Sequence, residues 1–203
     1  RAQKFWLQRC RRCQLVYTVP QLTSQEVLAY YDVRYYGKGN VRFGSIFERL
    51  VSWFRRRRAD RICSFVPTGR ALDIGCGRGH ILDNLRRRGW IVKGVELNEA
   101  AVRHARDVLG LDVTVEPFRA DRFPAGHFDA VILWHVLEHL DQLDTAIQGL
   151  ARIVRPGGLL AISVPNIESW QAALARYHWF HLDLPRHYSH LSETWLRTEL
   201  EKV

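Results

Sequence analysis

The sequence predicts an α/β fold built on a doubly wound, mostly parallel sheet, preceded by a small N-terminal appendage. Three observations predict it. From Ala71 to Val164, short apolar runs alternate with amphipathic helical patterns, the order of repeated βα units. The first apolar run ends in glycines at alternate positions, Gly75, Gly77 and Gly79, directly before a helix. The polar motifs then fall at strand carboxyl ends, where sheets of this kind hold ligands.

Residues 1 to about 40 read as the appendage and 41–203 as the main domain. In the appendage, Cys10 and Cys13 form a C-x-x-C pair before a strand-like run from Leu15 to Val19. One pair supplies two thiolates, whereas a closed zinc site wants four ligands, so two free thiols is the simpler reading. A helix starts near Thr23 or Ser24, either of which can cap it, with Glu26 in the first turn. Tyr30, Tyr31, Tyr35 and Tyr36 then precede Gly37-Lys-Gly39-Asn40, and they read equally well as a clamp over the core or as one wall of a site.

Phe43 to Phe65 is a long amphipathic helix, with Phe43, Ile46, Phe47, Leu50, Phe54, Ile62 and Phe65 at helical spacing; Pro67 and Gly69 end it. Strand one is Ala71–Ile74, followed by a helix from His80 to Arg88. Strand two is Ile91–Glu96, then a helix from Ala100 to Leu109, and strand three is Val113–Val115. Strand four, Phe128–Trp134, leads to a helix from Leu143 to Val154. Pro156-Gly157-Gly158 then turns into strand five, Leu159–Val164, and a last helix runs from Glu193 to Lys202.

The glycine turn narrows the ligand. A dinucleotide fingerprint has glycines at the first, third and sixth positions, and here the sixth is His80; no Lys-Ser/Thr ending marks a P-loop. Asp73, two residues before the first glycine, would repel phosphate and suit a cation. An adenosine-bearing ligand with a positive charge and no phosphate is S-adenosylmethionine. Glu96 closes strand two about twenty positions after the first glycine, where a carboxylate can accept both ribose hydroxyls. The plainer alternative makes it an acid at the start of the next helix.

These residues resemble the class I S-adenosylmethionine-dependent methyltransferases, with Rossmann-like sheets and a first motif like LDIGCGRG. The stretch Trp134-His-Val-Leu-Glu-His-Leu140 and the segment His178-Trp-Phe-His-Leu-Asp-Leu-Pro-Arg-His187 are similar to those of a bacterial small-molecule and envelope subgroup. The resemblance covers Tyr35 to Val203. It implies that Leu97 packs on the adenine and that Trp134 and His135 line the methionine moiety. The family's polar adenine contact after strand three is replaced by Glu116-Pro117-Phe118, so Phe118 is left to supply apolar contact, with Asp121 nearby. The Arg155-Pro-Gly-Gly158 turn matches the family's and is architectural. A full class I fold adds two edge strands, expected beyond Val203.

His135, Glu138 and His139 are the catalytic candidates. An imidazole is the natural proton acceptor near neutral pH, though His139 equally suits bonding to loop carbonyls. Adjacent helical positions diverge by roughly 100°, so Glu138 and His139 are not expected to face one point. Three histidines, Trp179, Asp183 and Arg186 within Tyr177–His187 suit a lid over a substrate pocket, with Trp179, His181, Arg186 and His187 lining it and Arg186 gripping a phosphate or carboxylate. A metal set of His178, His181, Asp183 and His187 is the alternative, and none is expected because this methyl transfer needs no metal.

The composition, 47% hydrophobic and 25% charged, is that of a soluble globular chain, with no apolar run of the ~18 to 20 residues that span a membrane. No signal peptide opens it. The chain starts at Arg1 and lacks Met, so the translation start is expected upstream. Four scattered cysteines suit a reducing cytosol. The net charge of +9 admits nucleic acid, an anionic membrane or a phosphorylated substrate. The runs Arg55–Arg58 and Arg86–Arg88 carry no interleaved aromatics and read as solvated helix faces, which does not favour RNA. The expected function is direct methyl transfer from S-adenosylmethionine to a small molecule, an envelope glycan or lipid-linked intermediate, or a quinone-type precursor. The rivals are RNA methylation, a catalytically silent cofactor-binding regulator, and a peripheral membrane protein using the Phe43–Phe65 helix. Spacing does not address the oligomeric state.

Overall fold

A computed structural model describes residues 3–30 and 45–203. The segment Tyr31 to Asn40, Phe43, the side chains of Ile46 and Phe47, and the boundary near residue 40 lie outside the described residues. The chain divides into two compact units, one of residues 1–42, 137–144 and 164–203, the other of 43–136 and 145–163.

The second unit holds the parallel sheet. Its strands are β3 (Arg70–Ile74), β4 (Ile91–Glu96), β5 (Val113–Val115), β6 (Phe128–Trp134) and β7 (Val154–Ser163), in the order β5-β4-β3-β6-β7. All four pairings are parallel. β3 and β6 are buried along nearly their whole length, as central strands covered on both faces must be. Helix α2 (Ser45–Phe65) contributes Ala59 and Ile62, and the residue after it Val66, to a core shared with Ala71, Ala130, Ile132 and, from α3 (His80–Arg86), Ile81 and Leu85. A second cluster joins Leu82 to Val102, Ala105, Leu111 and Val113. The predicted helix after strand two is α4 (Glu99–Arg103), capped by Asn98, and it continues as a π-helical turn over His104–Val108.

Strand five begins earlier than the sequence predicts. β7 starts at Val154, which pairs with Phe128, and the next pair is Ala130 with Leu159, so the Pro156-Gly-Gly158 excursion is a bulge inside the strand. Asp129 secures it: Oδ2 accepts from the Arg70 amide at 2.7 Å and Oδ1 from Arg155 Nε at 2.5 Å. Arg155 thus ties the bulge to the start of β3.

The other unit contains an antiparallel sheet of β1 (Trp6–Arg9), β2 (Val16–Val19) and β8 (Ser189–His190), in that order. The irregular appendage predicted from sequence is therefore a hairpin extended by a strand from the far end of the chain. Helix α1 (Ser24–Leu28) opens with a capping box in which Thr23 Oγ1 and Glu26 bond reciprocally. Helix α5 (Leu143–Ile153) leads into β7, while α6 (Trp170–Ala175) and α7 (Glu193–Leu200) are capped by Ser169 and Ser192. No helix among the described residues is long and apolar enough to cross a membrane.

Candidate active site

Sheet order reverses direction beside β3, which has β4 on one side and β6 on the other. Ligands of open α/β sheets sit at the carboxyl end of such a reversal. There the chain turns through Gly75, Gly77 and Gly79 with φ of +66°, +54° and +77°, a region that side chains disfavour. A Cβ on Gly75 would lie 2.4 Å from Val136 Cγ2, and one on Gly79 would lie 2.5 Å from Leu111 Cδ1. At Gly77 nothing lies within 4 Å. Two glycines admit close neighbours; the middle one faces open space.

Glu96 reaches this turn from β4. Its Oε2 accepts from the Gly77 amide at 2.8 Å, and Oε1 accepts from the amides of Leu97 and Asn98 at 2.8 and 2.9 Å. A carboxylate has about four acceptor positions, so one on Oε2 stays available. Asp73 is 2% exposed, and its burial, with the Glu96 charge second, pushes its pKa up to about 8. Before a cation binds, it is therefore protonated at neutral pH, which modifies the sequence picture of a fixed negative charge. Burial likewise pushes the Cys76 thiol up. Leu97 is 58% exposed, and Phe118 stacks on Phe123 with ring centroids 6.5 Å apart.

His80, at the sixth position of the turn, is held neutral. Burial first, then Arg55, Arg78 and His104, lower its pKa to about 4. Arg78 Nη2 donates to His104 Nδ1 at 2.7 Å, which fixes that nitrogen as an acceptor. At the end of β6, Trp134 is covered by the Arg58 guanidinium, 3.7 Å from its ring centroid. Arg57 similarly covers Trp53 at 4.6 Å. The reading of Arg55–Arg58 as a solvated face fits the exposed Arg56 and Arg57, the latter on Trp53 one turn earlier in the same helix, and is corrected at Arg58, which tertiary packing places on the Trp134 face. His135 follows with φ +55°, exposed, its amide on the Ser163 carbonyl at 2.8 Å.

In the other unit, Glu138, His139 and His187 converge, with one ligand-type atom of each within 4.8 Å of the others. The expectation that Glu138 and His139 could not face one point is overturned. The two residues lie in the single 3₁₀ turn Leu137–His139 and not in an α-helix, so the spacing of about 100° does not apply to them. His139 Nδ1 bonds the Arg186 carbonyl at 3.0 Å and His187 Nδ1 the His181 carbonyl at 2.9 Å. Among the described residues, His178, His181, Asp183 and His187 form no such group. His181 is exposed, Trp179 and His187 are buried, and the Arg186 guanidinium bonds Asp183 and the Tyr30 carbonyl. Cys10 and Cys13 are free thiols at the β1–β2 turn, where bonds from the Cys13 and Arg12 backbone lower the Cys10 pKa.

A family model described as a methyltransferase domain matches residues 45–203. The chain belongs to this methyltransferase domain family. A crystallised S-adenosylmethionine-dependent methyltransferase from Archaeoglobus fulgidus superposes with a TM-score of 0.61 at 25% identity, over 74% of this chain and 67% of its own. One from Mesorhizobium loti, at 17% identity and a TM-score of 0.56 over 72% of this chain and 78% of its own, shows the shared fold. A ubiquinone biosynthesis O-methyltransferase of Alkalilimnicola ehrlichii is 35% identical over 105 residues, 48% of this chain and 42% of that protein. The counterpart in Caulobacter vibrioides is 31% identical over 112 residues, 52% of this chain and 44% of its own. The chain spans less than half the length of these curated relatives.

Within the methyltransferase domain, sequence reasoning missed Arg58 on Trp134, the Arg78–His104 bond and Gly94, where a Cβ would lie 2.7 Å from Cys76 Sγ. Gly94 could have been noticed as a glycine inside a strand, which signals close approach. It also missed His190, whose Nε2 lies 3.1 Å from Thr18 Oγ1, while that hydroxyl donates to the His187 carbonyl at 2.6 Å. Nothing in spacing announces a pair so far apart.

Proposed function

We propose that this chain binds S-adenosylmethionine at the carboxyl ends of β3 and β4 and transfers its methyl group directly to a hydroxyl of a small-molecule acceptor. The observation that carries this reading is the open space at Gly77 beside the amide-anchored Glu96 carboxylate. The residues present fit the cofactor. Gly75 and Gly79 shape the turn, Gly77 lets the ligand approach the backbone, and the remaining Glu96 acceptor position suits a ribose hydroxyl. Asp73 can ionise beside a sulfonium, and Leu97, Phe118, Trp134 and His135 supply apolar and ring contact to adenine and methionine. When bound, S-adenosylmethionine supplies an electrophilic methyl; the protein's part is to orient it and exclude water.

His139 serves as proton acceptor for the acceptor's hydroxyl, with Glu138 and His135 as the other catalytic candidates; Trp179, His181, Arg186 and His187 belong to the substrate pocket. The names of the relatives support a hydroxylated quinone precursor, and an envelope glycan or lipid-linked intermediate is the companion class. Direct transfer needs no metal, and Cys10 and Cys13 stand outside the machinery. Free thiols support a reducing, cytoplasmic setting.

Calorimetry with S-adenosylhomocysteine tests the cofactor site: Gly77→Arg and Glu96→Ala should each abolish binding, and unchanged affinity in both sinks the assignment. Labelled methyl transfer, screened over hydroxylated quinone precursors, envelope sugars and RNA, identifies the acceptor. His139→Ala should slow transfer at least tenfold with cofactor affinity retained.

A further inference from the structure

The Glu138–His139–His187 cluster has a chemical character that direct methyl transfer does not require. Both imidazoles present Nδ1 to a backbone carbonyl, Arg186 O for His139 and His181 O for His187. A carbonyl only accepts, so in the neutral rings Nδ1 carries the hydrogen and Nε2 carries the lone pair. The rings stand edge to face at 4.6 Å between centroids. Glu138 is 1% exposed and His187 6% exposed, so a carboxylate and an imidazole lie out of water.

From this geometry we infer that Glu138, His139 and His187 form a binding site for a divalent cation of the zinc class. Two imidazole nitrogens and one carboxylate oxygen form the His₂Glu set that such ions take, with a fourth position for water or a ligand oxygen. Around a tetrahedral zinc with bonds of ~2.0–2.1 Å the donor atoms lie about 3.3 Å apart; one ligand-type atom of each residue already lies within 4.8 Å of the others, and Asp183 Oδ2 stands 3.8 Å from His187 Nε2 as a neighbouring carboxylate. The supporting bonds are those that metal-bound histidines use, each ring's other N–H on a carbonyl that fixes tautomer and orientation. The His187 support extends further: its own carbonyl accepts from Thr18 Oγ1, which His190 Nε2 approaches at 3.1 Å. The set is mixed nitrogen and oxygen, which disfavours magnesium and calcium. It bears on the proposed function at one point: a metal-bound His139 Nε2 takes no proton, so the two roles of His139 exclude each other, and metal binding, read apart from activity, separates them.

The test uses the full chain stripped with chelator and carrying Cys10→Ser and Cys13→Ser, so that the C-x-x-C thiolates cannot contribute. Titration with Co²⁺ should give about one equivalent of tetrahedral cobalt absorption without a thiolate charge-transfer band, and Zn²⁺ should displace it. His187→Gln and Glu138→Gln should each weaken binding more than tenfold. His139 is only half-buried, so His139→Gln keeps the test decisive if the buried substitutions prevent folding. S-adenosylhomocysteine binding and circular dichroism report folding independently. No cobalt bound by the Cys10→Ser, Cys13→Ser protein, or an affinity unchanged in folded His139→Gln and His187→Gln, overturns the site.

Discussion

Burial and the neighbouring Glu96 hold Asp73 protonated up to about pH 8, against 3.8 for the unperturbed carboxyl. Between those values the folded state keeps a proton that the unfolded chain has released, so stability falls as pH rises through this window. The Tm should decline between about pH 4 and 8 and level off above, and Asp73→Asn should lose most of that slope; an equal slope in the variant would assign it elsewhere. A cation beside Asp73 favours its ionised form. Affinity for the sulfonium should therefore rise over the same window more steeply than affinity for the neutral thioether, by calorimetry. The glycines separate two costs. Gly77→Ala meets no atom within 4 Å, so its stability loss should be the about 1–2 kcal/mol of left-handed backbone, with a larger loss in cofactor affinity. Gly79→Ala adds overlap with Leu111 and Ala105 and should lower Tm further.

At the scale of elements, Asp129 bonds both the start of β3 and the bulge of β7. The Arg70 amide first, and then Arg155, hold its pKa below 3.8, so its contribution is present above that value and is lost as pH falls through the lower folded one. Asp129→Ala should cost about 1–3 kcal/mol in denaturant unfolding at neutral pH, because the β3 amide loses its acceptor. Full stability in the variant would remove the clamp. The strands and helices around it were legible because each carries its own period. The β7 bulge was not, since Pro156-Gly157-Gly158 reads as an ordinary turn until the pairing of Val154 with Phe128 continues the strand before it. β8 was equally hidden: two residues, Ser189 and His190, have no alternation to detect.

For the whole molecule, a net charge of +9 predicts weak, sequence-independent attraction to polyanions. Binding to RNA should be measurable at low salt and largely gone near ~0.15 M, where charges are screened beyond ~8 Å. Retention at that salt would instead favour an RNA acceptor. Two kinds of information meet in this chain. The sequence by itself determined the βα alternation, the glycine turn and the place of Asp73, Glu96 and Leu97, because these lie within one βαβ unit whose local spacing follows from strand and helix geometry. Tertiary structure alone decided what depends on distant partners: Arg58 over Trp134, β8 beside β2, and His187 beside Glu138 and His139. His139 and Arg186 are 47 positions apart, and Thr18 and His190 are 172 apart. Contacts closed over such lengths leave no period in the sequence, because their geometry is set by the packing of whole elements.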